Sequence, residues 1–239
     1  MLSLHHECVF VHIPKCGGQS IEMAFLADLG LNWRTRAPLL LRHNPNLELG
    51  PPRLAHLTAK DYVAYKYIPG ELFERYFKFS VARNPYSRVV SLYHYQNCLV
   101  SFKKFTCDIL PNQLWRKQFY FVRPQVDFLK DDNGDCILDR VLFLEELNND
   151  LRELREKTGL KSEIGRVNTR REHLKKPNIR FRASLVKGDI PRGNIKNVLR
   201  DALGKQEYHE HWSNYYCQKS SDAVKRLYSD DFQFLGYES

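Results

Sequence analysis

The segment His12-Ile13-Pro14-Lys15-Cys16-Gly17-Gly18-Gln19-Ser20 concentrates residue types that hold an oxyanion. A glycine pair between an apolar run and a helical pattern lets the backbone come close to a ligand. The N–H groups of the first helical turn then face that ligand, with the positive end of the helix dipole behind them. Lys15 adds a mobile positive charge and Ser20 a hydroxyl donor. In a Walker A loop the Lys follows the glycines and a Ser/Thr serves Mg²⁺. Here Lys15 precedes them, which disfavours a nucleotide hydrolase of that type. Taken alone, the segment also fits a plain tight turn carrying a solvated lysine.

A second such segment is Arg83-Asn84-Pro85-Tyr86-Ser87-Arg88-Val89-Val90-Ser91. Arg83 ends an apolar strand pattern, where open α/β sheets bind ligands, and a guanidinium grips phosphate at two points. Ser91, two turns into the following helix, donates to the same group if that helix leans over it. The plainer readings are a salt-bridged strand-end arginine and a surface serine.

These residues need elements to position them. Cys8 to Ile13 reads as a buried strand, and Gln19 to Phe25 as a helix with Ile21, Ala24 and Phe25 inward. Thr58 reads as an N-cap before a helix through Tyr62. Phe77 to Ala82 reads as a second strand, with Asn84 capping and Pro85 at the first helical position. The helix after it carries Tyr86, Val89, Val90 and Tyr93 as a core stripe, with Ser87, Ser91 and His94 on another face. Cys136 to Phe143 is a third strand, followed by an amphipathic helix from Glu145 to Lys157 with Leu147, Leu151 and Leu154 inward. Residues 30–55 show no period and read as an irregular crossing or acceptor-side loop. Gln206 to Leu227 reads as two short helices with a turn at Lys219-Ser220. Strands alternating with helices predict an α/β fold, with a mainly parallel central sheet flanked by helices in a single domain over residues 1–239.

The 239 residues carry 37 Lys+Arg against 28 Asp+Glu, a net charge of +9, which asks for an anionic partner without naming it. With 43% hydrophobic residues the chain is not generally disordered, and no 18-residue apolar run predicts a membrane span. The six cysteines form no C-x-x-C pair, so reduced thiols in a cytosolic protein are expected; Cys98 and Cys107 are the candidate pair if the protein is lumenal. His5-His6-Glu7 reads as a solvated stretch, and no metal is implied.

Together the two segments resemble sulfotransferases that use 3′-phosphoadenosine 5′-phosphosulfate (PAPS), specifically the carbohydrate branch typified by heparan-sulfate 2-O-sulfotransferases. His12 to Ile21 is similar to that family's 5′-phosphosulfate loop, H-I-P-K-x-G-G-T-S-[IL], with Gln19 where Thr is common. Arg83 to Ser91 is similar to its 3′-phosphate motif, R-N-P-Y-x-R-x-x-S. Tyr228-Ser229-Asp230-Asp231-Phe232 with Gly236-Tyr237 resembles a frequent family ending. The resemblance implies a P-loop-kinase-like sulfotransferase fold and PAPS as sulfuryl donor. It implies Lys15 at the oxygen bridging phosphate and sulfate, with Cys16, Gly17, Gly18, Gln19 and Ser20 around the 5′-phosphosulfate. Arg83 and Ser91 would hold the 3′-phosphate, and Asn168-Thr169 would belong to a loop closing over the nucleotide. Trp115, Tyr120 and Phe121 are candidates to stack on the adenine, with core packing the plainer role of each.

Sulfuryl transfer to a hydroxyl or amine needs a group to take the acceptor's proton and a cation on the leaving oxygen. Histidine suits the first task near neutral pH. His56, before a helix and between the two motifs, stands at a place similar to the base histidine of the carbohydrate branch; a helix-capping histidine is the alternative. Glu145 and His94 are the runner-up bases, and His12 reads as an orienting residue behind the site. Arg42, Arg53, Arg170, Arg171, Lys175 and Lys176 are candidates to line a cleft for an anionic acceptor such as a glycan, or are solvated surface. Residues 161–182, with eight Lys/Arg and two acids, leave a basic nucleic-acid-binding protein as one alternative. That stretch lacks interleaved aromatics apart from Phe181. A catalytically inactive PAPS-binding protein is another. A cytoplasmic, bacterial-type enzyme is the simpler expectation, or a Golgi-lumenal one if the chain is a truncated eukaryotic member.

Overall fold

The computed structural model describes residues 1–96, 100–114, 119–165 and 209–238. Internal packing divides the chain into two compact units, the first formed by Met1–Arg83, Arg123–Val167 and Gln233–Gly236, the second by the remainder.

The first unit holds a four-stranded sheet of order β1-β2-β3-β4, comprising Leu2–Ser3, Cys8–Val11, Phe77–Ala82 and Arg140–Phe143. β2, β3 and β4 are parallel, as expected, while the short β1 pairs antiparallel with β2 and had no signal in the sequence. Alternation builds β3. Phe79 and Val81 enter a core with Phe10, Ile21, Phe25, Leu142 and Leu154. On the other face Ser80 donates from Oγ to the Val11 carbonyl at 2.6 Å. Helix α1 (Gly18–Asp28) buries Ile21, Ala24 and Phe25, the face its spacing predicted. Two short helices, α2 (Asp61–Ala64) and α3 (Gly70–Arg75), precede β3.

Several boundaries move for physical reasons. Thr58 does not cap a helix with its side chain. Instead Asp61 accepts from the Thr58 backbone N–H at 2.8 Å, and α2 begins at Asp61. The third strand is shorter than expected, because Cys136 makes an isolated bridge to Lys130 before β4 starts at Arg140. Of the leucines expected inward on the helix Leu147–Thr158, Leu154 is buried and Leu147 and Leu151 are half-buried. His6 is not solvated either. It is 6% exposed, its Nε2 bonds Asp28 at 3.0 Å, and its ring stands edge-on to Phe25. That bond, with N–H donors from Lys161 and Ser162, holds the Asp28 carboxyl down to about 2.

The second unit is organised by α4 (Pro85–Gln96). Its stripe of Tyr86, Val89, Val90 and Tyr93 is buried among Phe102, Phe105, Tyr215, Val224, Tyr228 and Phe232. Asn84 caps as expected, its side-chain oxygen accepting from the Ser87 N–H at 3.2 Å. The C-terminal break falls earlier than Lys219-Ser220. A short 3-10 turn, Trp212–Tyr215, ends before Cys217, which caps the helix Gln218–Leu227 through a reciprocal bond with Ser220. Within this unit, Arg88 of the second motif lies fully buried 4.0 Å from Asp231 of the C-terminal motif and over the Tyr228 ring. A buried guanidinium needs such a counter-charge, so these two sequence motifs belong to one packing arrangement.

Candidate active site

The carboxyl ends of β2 and β3 place the site in the first unit. After Val11 the chain runs through His12 and Pro14 to Lys15, whose φ of +71° lies in the left-handed region that non-glycine residues seldom occupy. Gly17 follows at φ +80° as the N-cap of α1, and a Cβ there would also come within 2.6 Å of the Leu144 side chain. No acidic residue stands in the first turn of α1, so its N-terminal dipole is not offset by the helix's own side chains.

Gly18 is required for a different reason. A Cβ at this position would lie 2.3–2.4 Å from the His12 ring. That ring cannot step aside easily, because His12 Nδ1 donates to the buried Glu22 carboxylate at 2.6 Å and the ring stacks on Phe10. Gly18→Ala is therefore expected to cost about 1–3 kcal/mol through overpacking, lowering Tm by roughly 2–12 °C in a chain of this size. Thermal melts of the two proteins check it. An unchanged Tm would mean that the His12 ring yields freely.

His56 is brought to the same place. It ends a 3-10 turn, Leu54–His56, is 8% exposed, and its ring meets the His12 ring edge-on at 4.8 Å. Its Nδ1 lies 3.2 Å from the His12 carbonyl oxygen. A carbonyl only accepts, so Nδ1 carries the proton and the lone pair is on Nε2. Burial, with the neighbouring His12 and Arg53 charges, holds His56 well below the ordinary histidine value. It is neutral at physiological pH and in the tautomer a general base needs.

Lys15 is half-buried. Burial first, and the Arg83 guanidinium second, pull its ammonium down to about 8. Arg83 Nη1 donates to the Lys15 carbonyl at 3.2 Å, so the loop and the end of β3 are tied directly. The charged form of Lys15 is disfavoured by both burial and Arg83, and a bound anion would favour it again. The donor set fits a phosphosulfate: Lys15 and Arg83 for charge, the turn of α1 with Gly17, Gly18, Gln19 and Ser20 for hydrogen bonds.

The other candidates are distributed as follows. Cys16 is buried, with its thiol bonded to Gln125 Oε1 at 3.2 Å. Glu145 is exposed in the turn after β4. Arg53 bridges to His43, and the Arg42 carbonyl accepts from Leu54 N–H, so both belong to the segment that carries His56. Ser91 stands on α4 in the second unit. His94, on the same helix, is bonded through Nε2 to the Tyr215 hydroxyl at 2.8 Å, and Phe121 stacks on Tyr95. Trp115, Cys98, Asn168, Thr169, Arg170, Arg171, Lys175 and Lys176 lie outside the described residues. Among the described residues no group of three or more His, Cys, Asp or Glu could hold a metal ion, and no helix is long and apolar enough to cross a membrane.

Two partners were missed by sequence reasoning. Glu22 follows the buried Ile21 on α1, and a carboxylate one turn before Phe25 on an inward face was the available signal. Gln125 had none, since its helix, Val126–Leu129, is a single turn.

Residues 1–238 match the model of the sulfotransferase family, and the chain belongs to that family. This bears out the enzyme class expected from the two motifs, a sulfotransferase, and the sheet bears out the α/β fold with mostly parallel strands. Among solved structures, mouse sulfotransferase SULT7A1 complexed with PAP is similar at 16% identity and TM-score 0.42, covering 97% of this chain and 85% of that one. Retinol dehydratase in complex with androsterone and the inactive cofactor PAP is similar at 14% identity and TM-score 0.40, covering 97% and 82%. No curated relative matches the sequence.

Proposed function

We propose that the protein transfers the sulfuryl group of PAPS to a hydroxyl or amine acceptor, most simply a carbohydrate, by in-line displacement. What supports this is the loop before α1: Arg83 holds the Lys15 carbonyl, and His56 packs on His12 with its Nδ1 bonded to the His12 carbonyl. Bound there, the phosphosulfate supplies the sulfuryl group. His56 Nε2 takes the acceptor's proton, and Lys15 meets the negative charge developing on the leaving oxygen. The backbone donors at Gly17 to Ser20 hold the 5′ end, and the family motif assigns Arg83 and Ser91 to the 3′-phosphate. Tyr120 and Phe121 remain candidates for the adenine, and Asn168-Thr169 for the closing loop. The whole of residues 1–239 is read as one sulfotransferase domain. An anionic glycan as acceptor is supported by Arg53, three residues before His56, by Arg42, whose carbonyl accepts from Leu54 N–H, and by the resemblance of the H-I-P-K segment to the carbohydrate branch.

Adenosine 3′,5′-bisphosphate (PAP) tests the donor site. At a hundredfold excess over Kd it is expected to stabilise the protein by about 2.7 kcal/mol, raising Tm by roughly 5–10 °C. Arg83→Ala should abolish that shift. Absence of any shift with the parent protein at millimolar PAP would sink the proposal. Labelled PAPS offered to pooled glycans, lipids and small alcohols then identifies the acceptor class. Salt-dependent RNA binding that survives Lys15→Ala would instead favour the nucleic-acid reading.

A further inference from the structure

Gln125 is fully buried, carries no charge and belongs to neither motif, yet its amide touches both. Oε1 accepts from the Arg83 backbone N–H at 2.9 Å and from the Cys16 thiol at 3.2 Å. Nε2 donates to the Arg83 carbonyl at 2.8 Å. β3 ends at Ala82, whose carbonyl takes the last ladder bond, from Leu144 N–H. Arg83 is thus the first residue beyond the sheet, and one side-chain amide satisfies both of its backbone groups. The same oxygen holds the residue next to Lys15. From these contacts we infer that Gln125 is a positioning residue, setting the spacing of Lys15 and Arg83 for a ligand with anionic groups at two ends.

The physical case rests on how few ways this geometry can be met. A planar amide presents its acceptor and donor side by side, matching the N–H and C=O of a single residue. Backbone groups out of water are costly to leave without partners, and the ladder of β3 has ended at Ala82, one residue before Arg83. Its guanidinium reaches back to the Lys15 carbonyl, so a shift of the Arg83 backbone moves both cations at once. The Cys16 contact closes the triangle. Glutamine supplies one donor and a shared acceptor in that plane at that reach without needing to bind a proton, as a glutamate would.

The inference rests on the PAPS reading, and the experiment separates the two. PAP affinity and the steady-state constants for PAPS are measured for the parent protein, Gln125→Met, Gln125→Glu and Cys16→Ala, with circular dichroism to confirm folding. Gln125→Met keeps the volume and removes all three bonds. It is expected to weaken PAP by about tenfold or more, mainly in KM for PAPS, with kcat at saturation changed much less. Gln125→Glu keeps the acceptor but sets a carboxylate against the Arg83 carbonyl. Its protonated form restores the donor, so its PAP affinity should recover towards the parent value as pH falls below 8, a range where Lys15 stays charged and leaves the parent's affinity level. Cys16→Ala removes the thiol's contacts with Gln125 Oε1 and the Pro14 carbonyl but leaves both Arg83 bonds of Gln125 in place, and should weaken PAP by a few-fold in a fully folded protein. Parent-like PAP affinity in folded Gln125→Met, or in both Cys16→Ala and Gln125→Glu if Gln125→Met does not fold, overturns the role given to Gln125. Failure of the parent protein itself to bind PAP overturns the donor-site reading instead.

Discussion

His56→Ala is expected to lower kcat by about 10²- to 10⁴-fold, the usual contribution of a positioned general base, while PAP affinity stays at the parent value. The separation follows from geometry. His56 meets the phosphate loop through His12, its Nδ1 bonded to the His12 carbonyl and its ring against the His12 ring. His56→Asn is the sharper variant. Its side-chain N–H can still donate to that carbonyl, so the tie to His12 is kept while the basic nitrogen is lost. If His56→Asn transfers at the parent rate, His56 serves only to hold the His12 carbonyl, and Glu145 becomes the next base to test. His94 is already engaged with Tyr215. Because burial holds His56 well below the ordinary value, kcat/KM should stay level as pH falls through 6.5, where a solvated histidine base would begin to lose activity.

Lys15→Met should be comparably severe, lowering kcat by roughly 10²- to 10³-fold, as removal of a donor aimed at developing charge does elsewhere. Its pH signature is separate. With the ammonium pulled down to about 8 by burial and by Arg83, Lys15 is charged below that pH and loses its proton as pH rises through it. Anion binding requires the charged form, so kcat/KM for PAPS should be constant below pH 8 and fall above it. Between about 8 and the ordinary lysine value, binding should take up a proton, because the bound anion restores the ammonium. Lys15→Met should lose this alkaline limb as well as the rate. An alkaline limb that persists unchanged in Lys15→Met would assign it to another group.

The strands and helices that carry this chemistry were legible because burial imposes a period. Phe77 to Ala82 alternates across a sheet, and Tyr86, Val89, Val90 and Tyr93 follow one helix face, so β3 and α4 begin where the pattern starts. Short polar contacts leave no such trace. Thr58 has the residue type of a cap, yet Asp61 supplies the bond from three residues later. His6 sits among polar neighbours in the sequence and is buried because Asp28 of α1 meets it.

By themselves, the amino acids determined the α/β class, the two anion-holding segments and the candidacy of Lys15, Arg83 and His56. Those depend on local order along the chain: glycine before helix, arginine at a strand end, apolar spacing. Tertiary structure decided what state these groups are in. Burial, and then the approach of Arg83, lower the Lys15 ammonium, and the His12 carbonyl set against His56 Nδ1 fixes the tautomer. It also wedges His12 under Gly18 by way of Glu22, and binds Cys16 to Arg83 through Gln125. Proton affinity and spacing are properties of neighbours in space. Residues 44 and 68 positions apart along the chain become neighbours only when the sheet forms.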